Sequence, residues 1–256
     1  LQNDGTLLLS DIAAAIKPDD PHFARTRLIV IENTVGGKVL PLSYMRDVAA
    51  LAKDKGLACH IDGARLMNAA VVLAPQHNTT PQQMARGLCT GFDSVSLCLS
   101  KGLGCPVGSL LLGSADFIAR AKRVRKMLGG GMRQTGILAA AGLYALENNI
   151  NRLADDHANC QRLADGLAVL AAQLPALQGQ LNILPVQSNI LFTDISLELA
   201  ERLLPYLAEC GVRLTSSNYQ SSNGAIKRVR WVCHLQISSA DIEQTLRHIT
   251  DFASLN

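Results

Sequence analysis

The sequence predicts an α/β protein: a mostly parallel, helix-covered sheet over residues 1–155 and a small α+β unit over residues 156–256. Two observations carry this. Apolar runs of strand length, "TRLIVIENT", "LACHIDGAR" and "DSVSLCLSKG", alternate with helical stretches up to about residue 150, the pattern of parallel strands joined by helices. The texture then changes to one long helical stretch followed by short strands, a further helix, more strands and a closing helix, which reads as a compact antiparallel unit.

The elements follow in order. "LLLSDIAAAIKP" reads as a short helix starting near Ser10 or Asp11 and ending before Pro18. After the strand in "TRLIVIENT", "LSYMRDVAALAKDKG" reads as a helix with Ser43 as a possible N-cap and Gly56 as its stop. "LACHIDGAR" is a strand ending at Asp62, "DSVSLCLSKG" a third and "PVGSLLLGS" a fourth. "ADFIARAKRVRKML" is a basic amphipathic helix, and "GILAAAGLYALENN" a small-residue-rich helix expected to be buried. Residues 152–173 read as a long helix, and "SLELAERLLPYLAECG" as one in which Pro205 introduces a kink. "NILFTDI", "VRLTSS" and "IKRVRWVCHL" supply strands before the closing helix of "SSADIEQTLRHITDF".

Composition excludes several classes. With 48% hydrophobic and 18% charged residues the chain is not a disordered one. A net charge of +3, from 24 basic and 21 acidic residues, argues against a nucleic-acid or membrane-surface partner. No apolar stretch reaches transmembrane length and no signal peptide is visible, so a cytoplasmic location is expected. The chain starts without methionine, so a missing upstream piece is an open expectation. The seven cysteines are odd in number and include no C-x-x-C pair; they read as reduced, mostly buried thiols. Cys105, beside a glycine turn, reads as a packing residue before a catalytic thiol. No histidine pair has metal-ligand spacing, so no metal is expected.

Four features bear on chemistry. Lys101 ends the run "SLCLSKGLG"; it is an ion-pair member, a solvated strand end or a reactive amine. The pattern alone favours the solvated strand end, and partial desolvation would be what makes the amine a useful nucleophile. In "HIDGARLMNAA", Asp62 and Arg65 flank the end of a strand, where binding residues gather in parallel sheets. Asp62 suits a pyridinium nitrogen and Arg65 a phenolate or phosphate, although a helix-capping Asp62 paired with Arg65 fits equally well. "GGGMRQTG", residues 129–136, offers glycine N–H groups ahead of a helix, flanked by Lys126 and Arg133; it is an anion site or an interhelix connection. Arg230, inside the strand-like "KRVRWVCHL", calls for a carboxylate, from the protein or from a substrate. Among the histidines, His60 faces the same side of its strand as Asp62, and His77, His157 and His248 read as surface or loop residues.

Taken together, "IKPDDPHFARTRLIVIENT", "GGKVLP", "HIDGARLMNA", "LCLSKGLGCPVGSLLLG", "RKMLGGGMRQTGILAAAGLYAL" and "VRWVCHL" resemble the low-specificity L-threonine aldolases, pyridoxal 5'-phosphate enzymes of fold type I, the aspartate-aminotransferase-like fold. The resemblance runs from near residue 1 to about residue 235. It implies a large pyridoxal-phosphate domain, N-terminally incomplete, and a small C-terminal domain. It implies that Lys101 holds the cofactor covalently, that Asp62 meets its ring nitrogen and that Arg65 lies beside its phenolic oxygen. Arg230 then grips the substrate carboxylate, and His22 lies near the substrate hydroxyl as the base. Lys126 and Arg133 match residues near a site shared between subunits of a dimer or tetramer, so a homo-oligomer is implied. The reaction implied is retro-aldol cleavage of L-threonine, L-allo-threonine and related β-hydroxy-α-amino acids to glycine and an aldehyde. The family carries a further segment at the N-terminus, of roughly a hundred residues on the usual size of a cofactor domain. That segment holds a glycine/threonine phosphate loop and a ring-stacking histidine that this sequence lacks. Val35 and Gly36 stand where relatives carry polar residues. The competing readings are another fold-type-I lyase that β-eliminates, a truncated form without activity, and a nucleotide-binding domain using the glycine segment, whose order departs from G-x-G-x-x-G.

Overall fold

The computed structural model describes residues 1–221 and 224–255. The chain divides into two units, Leu1–Leu153 and Ala154–Asn256.

In the first unit, β1 (Leu28–Glu32), β2 (Ala58–Asp62), β3 (Ser94–Cys98) and β4 (Ser109–Gly113) form one sheet in that order. β1, β2 and β3 run parallel, whereas β4 is antiparallel to β3. The connection through residues 99–108 is too short for a crossover, so the chain turns straight back. The helices are α1 (Leu9–Ala14), α2 (Leu42–Asp54), α3 (Leu66–Leu73), α4 (Pro81–Leu88), α5 (Ala115–Met127) and α6 (Gly136–Asn148). Ile29, Ile31, Cys59, Ile61, Val95 and Leu97 point to one sheet face and bury against α2, α3 and α4 in a single core. The opposite face is less covered: Leu28 and Val30 stay about half exposed, so β1 alternates rather than being buried on both sides.

Local chemistry explains most boundaries and corrects some expectations. α2 starts after Pro41, not at Ser43, which lies inside its first turn; Pro41 brings an extended φ and ψ that suit a helix entry. α4, absent from the sequence-based list, opens on a capping box in which Thr80 and Gln83 satisfy each other's backbone N–H groups. The first two glycines after α5 do not present free N–H groups to an anion. Gly129 adopts φ +84°, its N–H bonds the Lys126 carbonyl, and the Gly130 N–H bonds that of Arg125. This is a Schellman stop, and it uses up those donors. α6 is not buried as expected. Gly142 and Ala145 are its only buried residues, with Gly142 lying against Leu99, while Ile137, Leu143 and Tyr144 are 74%, 62% and 64% exposed. Its small residues permit close approach along one stripe only.

The second unit carries α7 (Leu153–Gln173, beginning at the boundary), α8 (Leu197–Glu209) and α9 (Ser239–Ser254). Its sheet has the order β5 (Leu181–Ile183), β6 (Ile190–Ser196), β8 (Gly224–Val232), β7 (Thr215–Ser221), antiparallel throughout. Ser196 caps α8 and Ser238 caps α9 through their side chains. α8 continues through Pro205 as one helix. Val229 and Trp231 face the core, and the buried indole N–H donates to Thr193 Oγ1 at 3.0 Å. No helix among the described residues is long and apolar enough to cross a membrane.

Candidate active site

Asp62, Arg65 and Lys101 lie at or just past the carboxyl ends of the neighbouring parallel strands β2 and β3. Asp62 is the last residue of β2, on the sheet face away from α2–α4, in one row with Glu32 of β1 and Ser96 of β3. Its Oδ1 accepts the Ala64 N–H at 3.1 Å, and Oδ2 has no partner among the described residues. Arg65 is half-buried at the entry to α3. On the same face, His60 bonds Ser94 Oγ through Nδ1 at 2.7 Å. β3 stops at Cys98, so Lys101 sits in the turn beyond the strand. That turn is tied by the Gly104 N–H to the Lys101 carbonyl at 2.9 Å and by the Cys105 N–H to the Leu99 carbonyl at 3.0 Å. The Lys101 side chain is exposed and has no ion-pair partner among the described residues, which removes the structural ion-pair reading.

Gly63 allows the two strands to lie close here. A Cβ there would stand 2.7 Å from the Ser96 carbonyl oxygen and 3.1 Å from Val95 Cγ1, so β2 and β3 could not keep their spacing. Gly63→Ala is expected to destabilise the fold by about 1–3 kcal/mol. The urea midpoint checks this; an unchanged midpoint removes the account of close approach.

At the end of β1, both amide atoms of Asn33 and the Thr34 hydroxyl are buried with no hydrogen-bond partner among the described residues. The Asn33 N–H meets the Asp62 carbonyl at 3.0 Å, which places these polar groups beside the cluster. Sequence reasoning assigned them no role. The available signal was a polar pair directly past an apolar run, at a strand's carboxyl end.

Of the remaining sequence-derived candidates, His22, Lys126 and Arg133 are carried by other elements of the first unit and Arg230 by the second unit. His22 is on the loop between α1 and β1; its side chain is 87% exposed, and its Nδ1 lies 2.8 Å from Asp20 Oδ1. Asp20 also accepts the His22 backbone N–H at 2.8 Å. Lys126 is in the last turn of α5, its stem lying over Gly131, and Arg133 is exposed in the following loop. Arg230 belongs to the second unit, on β8 between Phe192 of β6 and Thr215 of β7. Its neighbour Arg228, two residues back on the same sheet face, is matched inside the protein: it grips Asp194 with two bonds of 2.7 and 2.8 Å and lies over the Tyr219 ring. Arg230 has no such partner among the described residues.

All seven cysteines are free. Cys105 is buried with its thiol directed at the Ala141 carbonyl, 3.4 Å away, and burial raises its pKa, the opposite of an activated nucleophile. No group of three or more metal-ligating side chains occurs among the described residues.

Against solved structures, the chain matches a Leishmania major threonine aldolase with a TM-score of 0.75 at 20% identity, covering 98% of this chain and 68% of that one. It matches Sphingomonas wittichii serine palmitoyltransferase with a TM-score of 0.62 at 18% identity, covering 90% and 55%. These likenesses establish the fold, that of the type I pyridoxal-phosphate enzymes. A family model described as beta-eliminating lyase matches residues 1–189, and the chain belongs to that family. It is 42% identical over 245 residues to low specificity L-threonine aldolase of Escherichia coli strain K12, covering 96% of this chain and 66% of that protein. It is also 42% identical over 256 residues to low-specificity L-threonine aldolase 1 of Arabidopsis thaliana, covering 96% and 65%. The chain thus spans about two thirds of the length of these relatives, slightly less than that fraction in each case.

Proposed function

We propose that this chain acts as a pyridoxal-phosphate-dependent aldolase that cleaves L-threonine, L-allo-threonine and related β-hydroxy-α-amino acids to glycine and an aldehyde. The observation that carries the reading is the placement of an accessible lysine, a carboxylate and a half-buried arginine at or just past the ends of adjacent parallel strands. The 42% identity to threonine aldolases supports it.

The donor set suits the cofactor. Lys101 offers an accessible amine for covalent attachment. Asp62 offers its open Oδ2 to a ring N–H, Arg65 a cation for the phenolic oxygen, and the orphaned Asn33 and Thr34 atoms lie alongside. When bound, pyridoxal phosphate supplies an electron sink for the pair released at the substrate Cα. Every other part of the reaction falls to the chain. Arg230 takes the substrate carboxylate in its fork and so selects which Cα bond is broken. His22 accepts the β-hydroxyl proton at Nε2: with Asp20 holding Nδ1–H, the free lone pair of the neutral ring is on Nε2. The Cα–Cβ bond then breaks, the aldehyde leaves, and a proton returned to Cα completes glycine.

The exposed stripe of α6, with Met127 and Leu128 at 82% and 81% exposure, supports a homo-oligomer, dimer or tetramer, with Lys126 and Arg133 near a shared site. The free thiols support a reducing, cytoplasmic location.

A second reading, β-elimination, is favoured by the family model itself. Product analysis separates the two. With pyridoxal phosphate and L-threonine, acetaldehyde and glycine in equal amounts are expected, whereas 2-oxobutyrate and ammonia would replace the aldolase reading with the eliminating one. Neither product from folded, cofactor-supplied protein overturns both for this chain.

A further inference from the structure

We propose that His234 is a second donor to the carboxylate that Arg230 receives, in a cleft of the C-terminal unit; the proposal rests on the reading of Arg230 given above. The cleft, of about 430 Å³, is lined by both residues, together with Arg213, Asp241, Gln244 and His248. The charges and donors in it do not cancel. Asp241 is engaged by the Ser238 N–H at 2.8 Å and the Ser238 hydroxyl at 2.6 Å, and His248 is engaged by Gln244 at 3.3 Å. Arg230 and Arg213 have no carboxylate partner among the described residues. With two arginines against the one carboxylate of Asp241, the cleft keeps an unmatched positive charge.

His234 is prepared to help hold one. The Gln236 N–H donates to its Nδ1 at 3.3 Å, so the neutral ring carries its proton on Nε2. Its backbone is pinned as well. The His234 carbonyl accepts the Ile237 N–H at 2.7 Å, and next to it the Cys233 N–H meets the Asn189 carbonyl at 3.0 Å. The Asn189 amide returns a bond to the Cys233 carbonyl at 2.9 Å. A ring held this way loses little freedom on binding. An arginine fork and one imidazole N–H together suit a small carboxylate, which has lone pairs for all three donors.

The test uses the whole chain, labelled with ¹⁵N and titrated with sodium acetate against sodium chloride at equal ionic strength. The expected result is a saturable shift of the His234 Nε2 and Arg230 Nε resonances. His234→Ala is expected to weaken acetate binding about tenfold, the worth of one hydrogen bond to a charged group. His234→Gln keeps an N–H donor and is expected to stay within about threefold of the parent. Folding of each variant is read from Trp231 fluorescence. No saturable shift at His234, or unchanged affinity in a folded His234→Ala, overturns the proposal. Acetate bound as expected without threonine cleavage supports the His234 role while removing the aldolase reading. Threonine cleavage with His234 silent to acetate removes the His234 role alone.

Discussion

Lys101→Ala is expected to abolish covalent retention of pyridoxal phosphate and to lower threonine cleavage by about 10³-fold or more, the order of loss when a covalent catalytic group is deleted. Stability should hardly change, because the side chain is exposed, lies in a turn and has no ion-pair partner among the described residues. The Lys101 carbonyl, which accepts the Gly104 N–H, is unaffected by the substitution. Borohydride treatment followed by peptide mapping gives the direct readout: the parent should carry the reduced cofactor on Lys101, and the variant should carry none. Retention on a different lysine in the parent would move the chemistry away from the β3 turn and take the Asp62–Arg65 assignment with it.

The second large effect is on stability. His157 lies on α7, and burial lowers its pKa from 6.5 to about 4, contrary to the surface position expected from sequence. The sign follows from which state binds the proton first. The unfolded imidazole protonates near 6.5, whereas the folded one resists until about 4, so acid favours the unfolded chain over that interval. The contribution is fully present above pH 6.5, is lost at about 1.4 kcal/mol per pH unit below it, and levels off near pH 4 after a total of about 3 kcal/mol. His157→Leu should remove this acid-dependent loss. Urea unfolding at pH 7 and pH 4.5, followed by the fluorescence of the single tryptophan, Trp231, reports the unit that contains His157. An equal drop in midpoint in parent and variant would refute a desolvated His157.

Most secondary structure was legible because its causes are local. Apolar runs of strand length marked β1, β2, β3 and β4, and Gly56 and Pro18 ended helices where their backbone preferences require. The Thr80–Gln83 capping box is equally local, a Thr three residues ahead of a Gln. The "SKG", "DGAR" and "VRWVCHL" motifs named Lys101, Asp62, Arg65 and Arg230 as candidates, since residue type and strand-end position are properties of the sequence.

What a charged or small residue does was decided by the tertiary structure, because partners arrive from distant parts of the chain. Arg228 and Arg230 are alike in sequence, yet the β6–β8 register sets Asp194 opposite Arg228 and Phe192 opposite Arg230. His157 and His234 differ from other helical or strand-end histidines only in what packs around them. The glycines after α5 read as an anion loop, but the helix uses the N–H groups of Gly129 and Gly130 to end itself. The alanines of α6 looked like core, but one stripe meets Leu99 and the other faces solvent. Sequence by itself determined the periodicity of the backbone and the inventory of chemical groups; only packing determined which of those groups are desolvated, which are already paired, and which remain open to a ligand.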